Sequence, residues 1–226
     1  MYTTLHPCDI VEEFEDQVAG YANAPFAVAV DSCTHALFLA CKYLKVDQVS
    51  IPKHTYVSVP AEIIHAGGSV EFTDVPWNGV YQLYPYPIWD AAKRFRGDMF
   101  GVIQREHAFS GTEYEHTFVC VSFHHAKILP AGRGGMILHN SPEADNWFRL
   151  ARHSGRHERT ALADDKIEVV GWHYTMDPMY AVNGLKLMSR ISNFNNDQEE
   201  VYPDLSQYEC FKDPRREQSV LEPKSS

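Results

Sequence analysis

Three short stretches of this chain carry residue types that can handle an amine and an anion together. Ser32-Cys33-Thr34 follows the apolar run Ala27–Val30 and opens a helical pattern. Asp90 closes the short run Ile88-Trp89, and Ser122 stands near the end of Thr117–Phe123 with Lys127 five residues on. A helix N-terminus presents backbone N–H groups and a partial positive charge, so the turn at Cys33-Thr34 suits a phosphate dianion. The hydroxyls of Thr34 and Ser122 can add donors. A carboxylate such as Asp90 can hold a ring nitrogen protonated. An opposite charge that close shifts a pKa by about 1–3 units, equivalent to about 1.4–4 kcal/mol. A lysine amine forms a Schiff base with an aldehyde and moves a proton once released. Tyr56, in a loop after a strand, can stack on a ring face. These jobs fit together if the ligand is an aromatic phosphate cofactor.

The elements that must position these groups alternate. Asp9 with Glu12 reads as a capping box, followed by Ile10, Val11, Phe14, Val18 and Tyr21 at helical spacing. Ala27–Val30 reads as a buried strand, and Ala36, Leu37, Ala40, Tyr43 and Leu44 as a helix. Val49–Ile51, a helix over 56–66, and Val70–Phe72 repeat the unit. The segment from Pro76 to Pro87 reads as a loop. Thr117–Phe123 and Met136–Leu138 are strands, Ser141-Pro142 starts a helix, and Asp177 to Ile191 reads as another. The pattern predicts an α/β fold in three layers, with a mostly parallel sheet between helices. Ligands of such sheets gather at the carboxyl ends of the strands, where Ser32, Asp90 and Ser122 fall. Residues 1–192 form the predicted domain, and 193–226 an arm or partly disordered tail.

Composition narrows the function classes. The 226 residues are 44% hydrophobic and carry a formal charge of −10, which argues against a general nucleic-acid binder. Five cysteines without a CxxC pair fit a reducing compartment. No apolar run reaches the length of a membrane span and no secretory leader is read, so a cytoplasmic protein is expected. Twelve histidines raise a metal reading, but no pair has a recognised ligand spacing, and no metal site is assigned. His153 and His157 are four apart on a possible helix; His124 or His125 fits the wall of the cofactor pocket better than a metal.

Each residue also has a plainer reading. Lys127 alone is an ordinary surface lysine, Asp90 and Thr34 are helix caps, and Tyr56 is core. Cys33 reads as small packing at a tight turn, and Gly132–Gly135 as a turn without a ligand. The order in which the pieces occur decides for chemistry. The segments FEDQVAGYANAPFAVAVDSCTHALFLACKYL, VSIPKHTYVSVPAEIIHAGGSVEFTDV, WDAA, SFHHAKILPAGRGGMIL and GWHYTMDPMYAVNGLKLM resemble, in order, the pyridoxal-phosphate-dependent sugar aminotransferases of the DegT/DnrJ/EryC1/StrS family. The likeness spans residues 8–190.

The resemblance implies the aspartate-aminotransferase-like fold type I, with pyridoxal 5′-phosphate as cofactor. It makes Lys127 the Schiff-base residue and puts Asp90 on the pyridine nitrogen. Ser32, Cys33, Thr34 and Ser122 become phosphate ligands, and Tyr56 the stacking aromatic. Lys93 stands where the family has Gln or His, His124 lines the pocket, and His173 reaches the phosphate of a neighbouring subunit in a homodimer. An amino-acid donor, glutamate, and a nucleotide-linked keto-sugar acceptor are the implied substrates. Arg133 replaces the family's acidic residue and Thr175 its arginine. The chain reads as a shortened member lacking most of the C-terminal small domain. A degenerate protein that binds the cofactor or a nucleotide sugar without turnover remains an alternative, as does a dehydratase or decarboxylase on the same cofactor.

Overall fold

A computed structural model describes residues 6–109 and 115–212. Residues 213–226 of the expected tail lie outside the described residues. The elements in chain order are α1 (Pro7–Ala22), β1 (Phe26–Val30), α2 (Cys33–Leu44), β2 (Gln48–Pro52), α3 (Ser58–His65), β3 (Ser69–Thr73), β4 (Tyr81–Gln82), β5 (Ile88–Asp90), α4 (Met99–Phe109), β6 (Phe118–Ser122), β7 (Gly135–His139), α5 (Pro142–Arg152) and α6 (Pro178–Met188).

The sheet is mixed, in the order β1-β7-β6-β5-β4. β7 runs against both β1 and β6, β5 is parallel to β6, and β4 runs against β5. β2 and β3 pair in parallel, and an antiparallel bridge between Ser50 and Tyr84 joins them to the strand after β4. β1, β2, β3, β5 and β6 therefore share one direction, and β4 and β7 oppose them. The carboxyl ends of β1, β5 and β6 fall at one edge, as the sequence pattern requires.

Alternation along the strands sorts side chains between two cores. Val28, Val30, Phe118, Cys120 and Ile137 face the layer holding α2, α3 and α5. Ala27, Ala29, Val119, Val121, Met136 and Leu138 face the layer of α1, α4 and α6. Phe14 of α1 meets Phe123 at a ring separation of 5.0 Å. A fully buried side chain of this size contributes about 1.5–3 kcal/mol.

Several local expectations change. His6, not Asp9, caps α1: its Nδ1 accepts the Cys8 N–H, and Asp9 returns the bond to the His6 N–H at 2.8 Å. Pro7 at the first helical position explains the shift, because its fixed φ suits that place and it has no N–H to satisfy. The Pro76–Pro87 loop contains β4, a strand too short to show alternation. α4 was not legible as a helix, since its apolar residues make only a weak stripe. α5 ends at Arg152, so His153 and His157 share no helix face; His157 bonds Asp165 through its backbone N–H at 3.0 Å and its Nδ1 at 2.8 Å.

β1 is an edge strand, and buried charge covers its open side. Glu15 accepts the Ala29 N–H at 2.7 Å, Arg152 donates to the Ala29 carbonyl at 2.6 Å and Arg149 to the Ala27 carbonyl at 3.3 Å. Arg152 and Arg149 both pair with Glu15, and Arg152 also with Glu158 at 2.9 Å. Side chains thus take the ladder positions that another strand would fill. Removing one partner strands the others in the interior. Glu15→Ala is expected to lower unfolding stability by about 3–5 kcal/mol, read as a lower urea midpoint, whereas Glu13→Ala on the exposed face of α1 leaves the midpoint within about 0.5 kcal/mol.

Candidate active site

The carboxyl-end edge opens into a cavity of about 480 Å³, within the range of cofactor and small-molecule sites. Its walls bring together Ser32, Cys33, Thr34, Tyr56, Asp90, Lys93, Ser122, His124 and Lys127. Each lies within five residues of a strand end or a helix start, so short segments are enough to aim them.

Asp90 is the most constrained of these groups. It is buried at the end of β5, with Oδ1 accepting the Ala92 N–H at 2.9 Å and Oδ2 accepting the Tyr81 hydroxyl at 2.9 Å. The Tyr81 hydroxyl also meets Thr55 Oγ1 at 2.6 Å. Burial pushes the Asp90 carboxyl up, while the two donors and the Lys127 and Lys93 ammonium groups pull it back. A carboxylate has room for about four donors, so one lining a cavity with two in place still has capacity for a cationic partner.

Lys127 sits in the turn after β6, its backbone N–H donating to the His124 carbonyl at 2.9 Å. Burial, then the nearby Lys93 ammonium, draws its amine below the usual lysine value, against pulls from Cys33, Asp90 and Glu200. Burial, His125 and Lys127 likewise depress His124. Cys33 is buried and its thiol pushed well up, chiefly by burial and then by Asp90, which fits packing rather than nucleophilic use.

The anion turn is built at the start of α2. Ser32 caps the helix, accepting the His35 N–H at 3.2 Å and donating to Asp31 at 3.3 Å. Its hydroxyl is thereby committed, and the first amides of α2 with the Thr34 and Ser122 hydroxyls are left as the natural anion donors. Thr34 Oγ1 meets Ser58 Oγ at 3.0 Å, and Ser122 Oγ accepts only a long bond, 3.5 Å, from the His124 N–H. Gly135 makes this turn possible: a Cβ there would collide with the backbone of Ser32 and Cys33.

The fit to the expected cofactor is therefore good on this chain's own atoms: a buried acceptor, an amine of lowered basicity and a helix-start cradle around one cavity. Tyr56 lines it but is 55% exposed, its ring edge-on to Tyr202 at 6.4 Å. His173 is not among the lining residues; it is exposed and bridges His153. Among the described residues no cluster could hold a metal ion.

Sequence reasoning missed Tyr81, Thr55, Trp77, Glu200 and Tyr202. The last two arrive on the tail. Residues 193–205 cross the mouth of the cavity. Arg94 forks onto Asp197, the Gln198 N–H donates to the Lys93 carbonyl at 2.9 Å, and the Gln198 side chain reaches the Ala126 carbonyl at 3.1 Å. Glu200 pairs with Lys93 and accepts the Tyr202 hydroxyl at 2.8 Å. Tyr202 stacks on Trp77, its carbonyl meets His54 Nδ1 at 3.1 Å, and the Leu205 N–H donates to the Lys53 carbonyl at 2.9 Å. One extended segment thus ties the Asp90 loop, the Lys127 turn and the Tyr56 loop together. Its only sequence trace is a polar stretch without period.

Comparison with known proteins identifies the family. The DegT/DnrJ/EryC1/StrS aminotransferase family matches over residues 4–91 and 107–216. The chain belongs to that family. The spore coat polysaccharide biosynthesis protein SpsC of Bacillus subtilis is 25% identical over 84% of this chain and 59% of its own length. The sugar aminotransferase CalS13 of Micromonospora echinospora superposes with a TM-score of 0.63 at 18% identity, covering 80% of this chain and 60% of CalS13. Spr1654 of Streptococcus pneumoniae, solved in a PLP-form, gives 0.58 at 17% identity over 80% of this chain and 59% of its own. These structures share the family's fold. The chain spans about three-fifths of the length of the relatives it matches.

The lowered Lys127 amine has a direct readout. Burial and a like charge both favour the neutral form, so Lys127 reaches its nucleophilic state at a lower pH than an exposed lysine. Competitive acetylation followed by mass spectrometry is expected to modify Lys127 with a midpoint below the usual lysine value. Lys93→Met is expected to move the Lys127 midpoint upward.

Proposed function

We propose that this chain is a pyridoxal-5′-phosphate-dependent aminotransferase that moves an amino group onto a keto sugar. The observation that carries the reading is the shared cavity of Asp90 and Lys127, in the family's order and at the family's sheet edge. SpsC's role in a polysaccharide pathway and the PLP-form of Spr1654 support the sugar and the cofactor. Glutamate as donor and a nucleotide-linked acceptor extend the reading.

When bound, the cofactor supplies an aldehyde that captures amines and a ring that accepts electrons. The chain's own groups do the rest. Lys127 would hold the cofactor through Nζ and, when free, would carry a proton on that nitrogen. Asp90 would keep the ring nitrogen protonated, with Tyr81 and the Ala92 N–H fixing the carboxylate's orientation. The start of α2, Thr34 and Ser122 would hold the phosphate, and Tyr56 would stand by the ring. Lys93 and His124 stand at the cofactor's rim. Ser32 and Cys33 contribute through the backbone and shape of the turn.

Residues 1–192 would form the cofactor-binding unit and 193–212 its arm. A homodimer is consistent with His173, which the fold leaves exposed and free to reach a second copy. Among the described residues no helix is long and apolar enough to cross a membrane. A cytoplasmic site of action accords with five free cysteines. A second reading, cofactor binding without turnover, draws on the segment crossing the cavity mouth.

Borohydride reduction with pyridoxal phosphate and peptide mass spectrometry tests the attachment. The adduct is expected on Lys127 and absent in Lys127→Ala. Asp90→Asn is expected to keep the adduct and lose at least a hundredfold in single-turnover amino transfer from glutamate. A wild type that takes the cofactor but leaves glutamate unconverted would favour the binding reading.

A further inference from the structure

Lys93 is buried beneath the crossing segment, and its side-chain charge is met there by Glu200. The two are unequally held. Lys93 is 9% exposed at the side chain and Glu200 47%. Lys93 stands in the short loop after Asp90, and its ammonium lies 6.0 Å from the Tyr202 ring centre. Both Lys93 and Glu200 line the cavity that Lys127 lines, so a carboxylate carried by the chain itself already occupies a cation beside the reactive amine.

Chemistry sets what else needs that place. An α-amino acid brings its carboxylate one carbon from its amine. A donor whose nitrogen takes over from Lys127 therefore puts an anion a few ångströms away, in a cavity whose burial penalises an unpaired charge. Lys93 is the neighbouring buried cation, while Arg133 at the rim is 59% exposed and held by Asp31 at 3.4 Å. Glu200 can leave at little cost, because it returns to water and its hold on Lys93 is half exposed.

We propose that Lys93 is the anchor for the donor's α-carboxylate, and that Glu200 holds this anchor until the donor displaces it. Glu200 is then a positioning residue acting through Lys93, and the stretch between Asp197 and Leu205 loosens as the donor enters. The inference rests on the aminotransferase reading but fails separately from it.

The full chain reconstituted with pyridoxal phosphate provides the test. Glu200→Gln keeps the size of the side chain and removes the competing charge; it is expected to lower KM for L-glutamate about fivefold. Lys93→Met is expected to raise that KM at least tenfold, with Lys93→Arg recovering most of the loss. With 4-aminobutyrate, which lacks the α-carboxylate, each variant should shift KM at least threefold less than it does for L-glutamate, a comparison that cancels whatever Lys93→Met does to Lys127 itself. An unchanged or raised glutamate KM in Glu200→Gln, or equal effects of Lys93→Met on both amines, overturns the proposal. Amide exchange reads the displacement without turnover. On the chain free of cofactor, saturating L-glutamate should speed exchange at Gln198 while Leu205, at the fixed end, keeps its protection, and no acceleration at Gln198 counts against it. Failure of Lys127 to form an adduct would sink the aminotransferase reading instead, with the exchange experiment still deciding whether glutamate displaces Glu200.

Discussion

A carboxylate kept in the interior beside an open cavity is the constraint on which the rest of this structure turns. Asp90 is buried to 5% exposure, so the protein must supply most of its donors. The Ala92 N–H comes from the loop that Asp90 itself begins, and the Tyr81 hydroxyl comes from β4, a strand that exists only to pair with β5. Tyr81 in turn is fixed by Thr55, from the loop that carries Tyr56. Moving any one of these loops would loosen the carboxylate, and burial would then favour its neutral form. A neutral acid could not hold a ring nitrogen protonated. The mixed sheet, with β5 parallel to β6, places this carboxylate and the Lys127 turn at the same edge.

Charge in the cavity is balanced locally against an unfavourable whole. A chain of formal charge −10 repels a phosphorylated ligand at a distance. Attraction must come from near groups: the start of α2, Lys93 and Lys127. Asp31, one residue before the helix cap, would oppose the cradle were it bare. It is answered by His35 at 2.5 Å and by Arg133 at 3.4 Å. His35 is fixed further by stacking on Tyr174 with rings 3.6 Å apart. Arg133 thus has a role in neutralising the approach to the turn.

How much of this was readable in the sequence follows from distance along the chain. Ser32–Thr34, Asp90 and the Ser122–Lys127 pair were legible because each lies within a few residues of a strand end, where local pattern fixes both the element and the direction of the side chain. The direction shared by β1, β5 and β6 followed from the alternation of strands and helices, while the reversed β7 and the short β4 did not. Tyr81 was hidden because a strand of two residues shows no period. Glu200 and Tyr202 were hidden because Lys93, Trp77 and His54, which they meet, lie more than a hundred residues upstream, and no periodicity marks a segment held by single polar contacts. The cap of α1 was misplaced for a smaller reason: His6 is a rare cap, and Asp9 offered a commoner one.

The crossing segment differs in kind from the elements it spans. The sheet and helices bury two apolar cores, and their loss is global. Residues 193–205 contribute few apolar side chains to either core: Leu205 is buried, while Phe194 is 66% and Val201 98% exposed. What holds the segment is polar, and polar contacts at the surface are individually weak. Regions of that composition open locally at free energies well below global unfolding. The firm fixings are at the ends, Arg94 with Asp197 and Leu205 with Lys53, and the weaker Lys93–Glu200 pair lies between them. A strap anchored at both ends can bow at its middle without releasing the loops it ties. That distribution allows a carboxylate on the strap to yield to one from solution while Asp90, Lys127 and the helix-start cradle stay in place.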